Sequence, residues 1–264
     1  MCPVCKYTKI KEVIDEYNRC AKCYSLYVNY FPQDREINQR IEHWGNNFAR
    51  NLEQLPISET SLARATLLRQ YAPEKSKLID VGCGNGDFLK AAREAQFELS
   101  AMDKSRAIVK YIRSQGITSH ESLSNIKPYS FDIVTCFDVI EHTLDPNALL
   151  VEIKRILKKN GLLMLTTPNI CGISAVLLKK RWWVLGPQDH LVLFNPHSIK
   201  QLIEKVGFTT IDVQTDTFTQ WCRLGNVILS KVLNKILYLG HLPFKNYLFA
   251  NKLGDNIQIL ARNF

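Results

Sequence analysis

Beyond Lys77 the apolar positions fall into short runs that end in an acid, a glycine or a polar cluster, with amphipathic stretches between them. "KLIDVG" at Lys77–Gly82 reads as a strand and Asp87–Glu94 as a helix. "ELSAMD" is a second strand, Ser105–Ser114 a second helix, "GITSH" a short third strand and "FDIVTCF" a fourth. The next helix carries clear punctuation: Asp145 as N-cap, Pro146 in the first turn, an apolar stripe of Leu149, Leu150, Ile153, Ile156 and Leu157, and Gly161 as its stop. "LLMLTT" is a fifth strand. Asn195, Pro196 and Gly207 frame a further helix, and "TTIDVQT" and "NIQILAR" complete seven strands. This alternation predicts an α/β fold, a doubly wound and mostly parallel seven-stranded sheet. Ligands of such sheets meet the carboxyl ends of the strands, so Asp80–Gly86, Asp103, Phe137–His142 and Thr166–Asn169 should share one rim.

Ahead of this region, Ile37–Tyr71 reads as helical and is divided at Leu55-Pro56. Residues 31–72 are thus expected to form a connector able to close over a ligand. Over residues 1–30, Cys2, Cys5, Cys20 and Cys23 give C-x2-C-x14-C-x2-C. Each pair can place two thiolates on one tetrahedral ion while the spacer folds back as a hairpin, so the segment looks like a structural zinc ribbon. Four unliganded thiols are the plain alternative. The rest, 73–264, forms the main domain, with an insertion at about 217–254 before the last strand. There Val227, Ile228, Val232, Leu233 and Ile236 oppose Ser230, Lys231, Asn234 and Lys235, predicting a basic amphipathic helix over Asn226–Leu239. With the aromatic "KRWWVLG" at Lys180–Gly186, this insertion reads as a lid, or as an apolar pocket docking on a membrane.

A length of 264 residues is enough to bury a full core, and 46% hydrophobic with 22% charged residues is ordinary globular composition. The net charge of +9 favours acidic partners without choosing among them. The N-terminus has no apolar core of a signal peptide, and no run of about 18 apolar residues occurs. A reducing, cytoplasmic setting is therefore expected, with peripheral contact to the inner face of a membrane allowed. Paired cysteines there point to metal rather than disulfides.

The glycines decide the ligand. A dinucleotide site needs G-x-G-x-x-G, but the third position is Asp87 counted from Gly82, and Leu89 counted from Gly84. No G-x-x-x-x-G-K-[ST] phosphate loop is present. The pattern from Asp80 is D-x-G-x-G-x-G, which resembles motif I of class I S-adenosylmethionine-dependent methyltransferases. "AMDKS", "SFDIVTCFDVIEHTLDP", "LKKNGLLMLTTPN" and "DHLVLFNPHSIKQLIEKVGF" resemble the later motifs of the branch that includes ubiquinone-type O-methyltransferases. The resemblance implies S-adenosylmethionine as cofactor. It implies that Asp80 orients the amino-acid end against the backbone of Gly82, Cys83, Gly84, Asn85 and Gly86. Asp103, with Lys104 beside it, would take the ribose, Phe137 and Asp138 would border the donor, and adenine would lie near Glu121–Leu123.

Methyl transfer to a hydroxyl needs alignment and removal of a proton. If the turn after the fourth strand is helical, Asp138, Glu141 and His142 share one face, and His190 can meet them from the loop after the fifth strand. His142 or His190 is then a general base, or the four residues hold Mg2+ or Mn2+ as the family's E-x-x-E-H sites do, or Glu141-His142 only caps the turn and seats the cofactor. The expected acceptor is an oxygen of a small, glycan-like, quinone-like or lipid-linked molecule. RNA 2′-O-methylation is the alternative, disfavoured because the basic residues are dispersed.

Overall fold

The computed structural model describes residues 1–49, 56–216 and 245–264. At the N-terminus β1 (Ile10–Ile14) and β2 (Tyr17–Cys20) form the expected hairpin, and β3 (Leu26–Val28) pairs with β2. The helical connector appears as α1 (Asp34–Ala49) and α2 (Glu59–Arg69); Leu55, half of the expected break, lies outside the described residues. There follow β4 (Lys77–Val81), α3 (Asp87–Glu94), β5 (Glu98–Met102), α4 (Arg106–Ser114), β6 (Thr118–His120), β7 (Phe131–Phe137), α5 (Pro146–Ile156) and β8 (Leu157–Pro168). The chain continues through α6 (Ile173–Leu178), β9 (Val192–Leu193), α7 (Pro196–Val206), β10 (Phe208–Asp216), α8 (Lys245–Ala250) and β11 (Asn256–Asn263).

Seven strands make the main sheet, in the order β10-β11-β8-β7-β4-β5-β6. β6, β5, β4, β7 and β8 run parallel, and β11 enters antiparallel between β8 and β10. Both faces are covered, which is why the central strands are nearly all apolar. Leu78, Ile133, Leu162 and Met164 face α2 and α3 through Leu68, Phe88 and Ala92. Ile79, Val134, Cys136, Leu163 and Leu165 face α5 and α7 through Leu150, Ile153, Ile199 and Leu202.

Helix punctuation holds at most ends. Asp145 accepts from the Asn147 and Ala148 amides with Pro146 in the first turn, Asn195 forms a capping box with Ser198, and Gly207 ends α7 at φ +95°. Gly161 is a correction. α5 stops at Leu157, whose backbone is already extended, and Gly161 lies inside β8. A Cβ there would come within 2.9 Å of the Lys158 carbonyl, so the glycine serves strand packing instead. The amphipathic segment Asn226–Leu239 lies outside the described residues.

The N-terminal unit is not a free appendage. β3 pairs antiparallel with β9, giving a second sheet in the order β1-β2-β3-β9 that includes a strand of the main domain. Tyr17, Leu26, Tyr27 and Val28 share one buried cluster with Trp182, Val184, Leu191 and Phe194.

α2 is fastened to the start of α3 by one carboxylate. Asp87 Oδ2 accepts from the hydroxyls of Ser61 (2.6 Å) and Ser58 (2.7 Å), and Oδ1 from the Ser58 amide (3.0 Å). Burial alone would raise Asp87, but these donors hold it below its ordinary 3.8. A depressed carboxylate stabilises fully above its unfolded value, and that contribution is lost as pH falls through the lower folded value. Ser61→Ala is therefore expected to cost about 1.5–3 kcal/mol in urea unfolding at neutral pH. The difference between Asp87→Asn and the parent should shrink below about pH 4.

Candidate active site

The loop between β4 and α3 follows from three glycines in the left-handed region, Gly82 at φ +73°, Gly84 at +48° and Gly86 at +72°. At Gly82 an added Cβ would also stand 2.3 Å from a Val139 methyl. The amides of Gly82 and Cys83 donate to the Met102 carbonyl, which ties the loop to the end of β5. The Gly84 amide donates to Asp103 Oδ2 (3.1 Å), and the Ser105 amide to Oδ1 (2.9 Å). Asp103 thus stands at the expected strand end, and each oxygen retains a lone pair for a ligand hydroxyl. Asn85 accepts from the Asp87 amide, Cys83 is buried, and Lys104 is exposed.

Asp80 closes the floor of this loop. It is 3% exposed, accepts from the Thr135 hydroxyl at 2.7 Å, and is pushed up to about 7, chiefly by burial. Above it sits a group that the pattern reading missed, Arg64 of α2. Its guanidinium lies 4.4 Å over the Phe137 ring, its Nε is buried without a hydrogen-bond partner, and Asp138, Asp216, Asp80 and Asp87 surround it. A charged residue beside Ser61, Ala65 and Leu68, the buried positions of α2, was the available signal. Trp44 of α1 is a second missed neighbour. Its ring lies 3.7 Å from where a Gly84 side chain would begin, and Glu42 on the same helix accepts from the Arg106 amide at the start of α4.

The rim after β7 differs from the expected helical face. Asp138 is left-handed at φ +54°, and only a single tight turn, Ile140–His142, follows. Asp138 is exposed, and its Oδ1 accepts from both the Thr166 hydroxyl (3.0 Å) and the Asn256 side-chain amide (3.3 Å). The structure instead gathers Glu141, His142 and His190, with one donor atom of each within 4.8 Å of the others. The four-residue set is reduced to three because the left-handed residue breaks the i, i+3, i+4 geometry.

Hydrogen bonding sets the state of this trio. His142 Nδ1 lies 2.7 Å from the Asp189 carbonyl, and His190 Nδ1 lies 2.7 Å from the Val184 carbonyl. Carbonyls only accept, so each ring carries its proton on Nδ1 and keeps Nε2 for other work. Burial and then His142 push His190 down to about 4, so its ring is neutral at pH 7. Glu141 is fully buried, and burial pushes it well above the carboxylate range. Its Oε2 accepts from Thr167 (3.0 Å), while Oε1 is buried without a partner.

At the N-terminus, Cys2 and Cys23 sulfurs lie 3.6 Å apart and those of Cys5 and Cys20 3.5 Å apart, all four within 4.8 Å of one another. Tetrahedral Zn–S bonds of about 2.3 Å put sulfurs about 3.8 Å apart, so the cluster fits such an ion. The hydrogen bond from Cys2 lowers Cys23 against the effect of burial, and the same bond raises Cys2.

A methyltransferase-domain family model matches residues 48–213, more than half of the chain. Among curated relatives, the ubiquinone biosynthesis O-methyltransferase of Xanthomonas euvesicatoria pv. vesicatoria is 32% identical over 179 residues, 62% of this chain and 75% of that protein. The protein of the same name from Idiomarina loihiensis is 26% identical over 153 residues, 52% of this chain and 63% of that protein. The chain thus spans less than two thirds of the Idiomarina relative. Among solved structures, an S-adenosylmethionine-dependent methyltransferase of Thermotoga maritima has a TM-score of 0.57 at 18% identity, covering 88% of this chain and all 100% of its own. One from Archaeoglobus fulgidus has a TM-score of 0.51 at 20% identity, covering 76% of this chain and 94% of its own. At these identities the two structures share the fold. The family match falls on the very segment that carries the left-handed glycine loop and the histidine rim, and the chain accordingly belongs to the S-adenosylmethionine-dependent methyltransferases.

Proposed function

We propose that this enzyme methylates a hydroxyl oxygen of a small, quinone-like or lipid-linked acceptor at the rim formed by Glu141, His142 and His190. The observation that carries this reading is the tautomer pair, two imidazoles whose Nδ1 protons are committed to carbonyls and whose Nε2 atoms are left to receive a proton or a hydroxyl. The names of the curated relatives, ubiquinone biosynthesis O-methyltransferases, support an acceptor of that class.

On this reading the backbone of the glycine loop faces the amino-acid end of the donor, Arg64 takes its carboxylate, Asp80 balances its ammonium, and Asp103 accepts from its ribose. Cys2, Cys5, Cys20 and Cys23 hold a structural zinc ion. The donor supplies an electrophilic methyl group, while the rim residues orient the acceptor and receive its proton. A second reading is favoured by the orphaned Glu141 oxygen: a divalent cation held by Glu141, His142 and His190, which would lower the pKa of a bound hydroxyl. Two imidazole nitrogens suit Mn2+ better than Mg2+. No observation favours an RNA acceptor.

The direct experiment supplies isotopically labelled S-adenosylmethionine with separate lipid and aqueous cell extracts and reads the labelled product by mass spectrometry. Label on an oxygen of a lipid-soluble molecule is expected; label on nitrogen or on RNA would refute the proposal. His142→Ala should lower turnover by about 10²–10⁴-fold, with S-adenosylhomocysteine binding by calorimetry essentially retained. Asp80 offers a test by pH. Its folded value is raised from 3.8 to about 7, so its contribution is full below pH 3.8 and lost as pH rises through about 7. Asp80→Asn should therefore gain stability relative to the parent at about pH 8 compared with about pH 4, while binding the donor less tightly.

A further inference from the structure

We propose that the N-terminal ribbon is part of the acceptor rim, and that Tyr17 is a positioning residue that fixes His190. The inference rests on the reading of His190 as a rim group, and it goes beyond a ribbon that merely stabilises the fold.

His190 lies in a stretch without regular structure between α6 and β9, and its ring is set by a carbonyl of that same stretch, Val184. Local bonds bind the segment to itself, with the amides of His190 and Asp189 both donating to Gly186. What holds it against the rest of the molecule comes from three sides, one of them α1, where Arg40 donates to the Gln188 carbonyl. From the rim turn, the Glu141 carbonyl accepts from the Leu191 amide at 2.7 Å. From the ribbon, the Tyr17 hydroxyl donates to the carbonyl of His190 itself at 2.7 Å. One residue later the Leu191 carbonyl accepts from the Val28 amide, and β9 then pairs with β3 through Leu26–Leu193 and Tyr27–Val192. Asn195, which caps α7, donates to the Cys23 carbonyl at 2.9 Å.

Tyr17 is 1% exposed and stands at the other end of β2 from Cys20. Both ends of that strand are buried and the two residues between are not, so the sulfur cluster and the hydroxyl are fixed by one short rigid piece. An ion held by the four sulfurs would cross-link the turn at Cys2–Cys5 to the turn at Cys20–Cys23 and so staple the end of β2. Removing the ion should release Tyr17 and β3 together, and with them His190. The donor loop is built separately, from β4, β5 and α3, and has no bond to the ribbon among those described. Metal loss should thus disable the rim before the donor site.

The test uses the whole zinc-loaded chain, with zinc counted by mass spectrometry and ring signals of His190 assigned in long-range ¹H–¹⁵N spectra through a His190→Asn variant. Zinc removal with a chelator is expected to shift or broaden the His190 ring signals while S-adenosylhomocysteine binds within about twofold by calorimetry. Tyr17→Phe, which keeps the ring and the zinc, should move the same signals and lower kcat about tenfold, the worth of one hydrogen bond, with the KM for donor unchanged. Unmoved His190 signals in both samples would overturn the proposal. So would donor binding that collapses together with zinc, since the ribbon would then be a general stabiliser. Absent heat in the zinc-loaded protein would instead refute the donor assignment, and the ring spectra would still decide the role of Tyr17.

Discussion

The turn from β4 into α3 depends on a backbone constraint, the left-handed φ of Gly82, Gly84 and Gly86. The chain must leave β4 and enter α3 within a few residues, and only glycine takes that conformation cheaply at alternate positions. The same turn directs the Gly82 and Cys83 amides to Met102 and the Gly84 amide to Asp103, which locks the loop to the end of β5. The missing side chain at Gly82 has a further effect, because Val139 fills the space that a Cβ would need. Val139 begins the tight turn that carries Glu141 and His142, so the glycine loop and the histidine turn pack through an absent methyl group.

Around this loop the fold buries ionisable groups that solvent would otherwise keep in their ordinary states. Thr135 serves Asp80 and Thr167 serves Glu141, one hydroxyl for each carboxyl. One such bond does not offset full desolvation of a charge, so both carboxyls are pushed towards the neutral form. Arg64 answers part of this from above, within reach of Asp80, Asp87 and Asp138. A cationic donor entering beside Asp80 would favour its ionised form, which couples donor binding to proton release.

Much of this was legible because the strands and the glycine loop are local in sequence. The strand–helix alternation from Lys77 onward, the caps at Asp145 and Asn195, and the placing of Asp80 and Asp103 at strand ends all follow from patterns a few residues long. Contacts between distant segments were not legible. Arg64 reaches the loop only through the docking of α2 by Asp87, and nothing in "KRWWVLG" announces that Trp182 and Val184 would pack against a ribbon some 160 residues earlier. The expected helical face at Asp138 is absent for a different reason: that residue is left-handed, and its Oδ1 is bonded to Thr166 and Asn256, which come from β8 and β11. Gly161 was misread because a glycine after a helix has two uses, and here the strand claimed it.

The proposed reading also divides labour between the two histidines. A ring held near 4 keeps a proton poorly, so His190 stays neutral at pH 7 and is suited to ligating an ion. Proton uptake then falls to His142, whose Nδ1 is anchored on Asp189, the residue next to His190. Glu141 is pushed towards its neutral form by burial, with Oε2 occupied by Thr167 and Oε1 buried without a partner. A hydroxyl has a single proton to give, so only one Nε2 can take it; on this reading that is His142, with the His190 ring beside it at 4.8 Å between centroids. Because Asp189 and His190 are neighbours, the segment that the ribbon pins carries His190 and the anchor of His142 together.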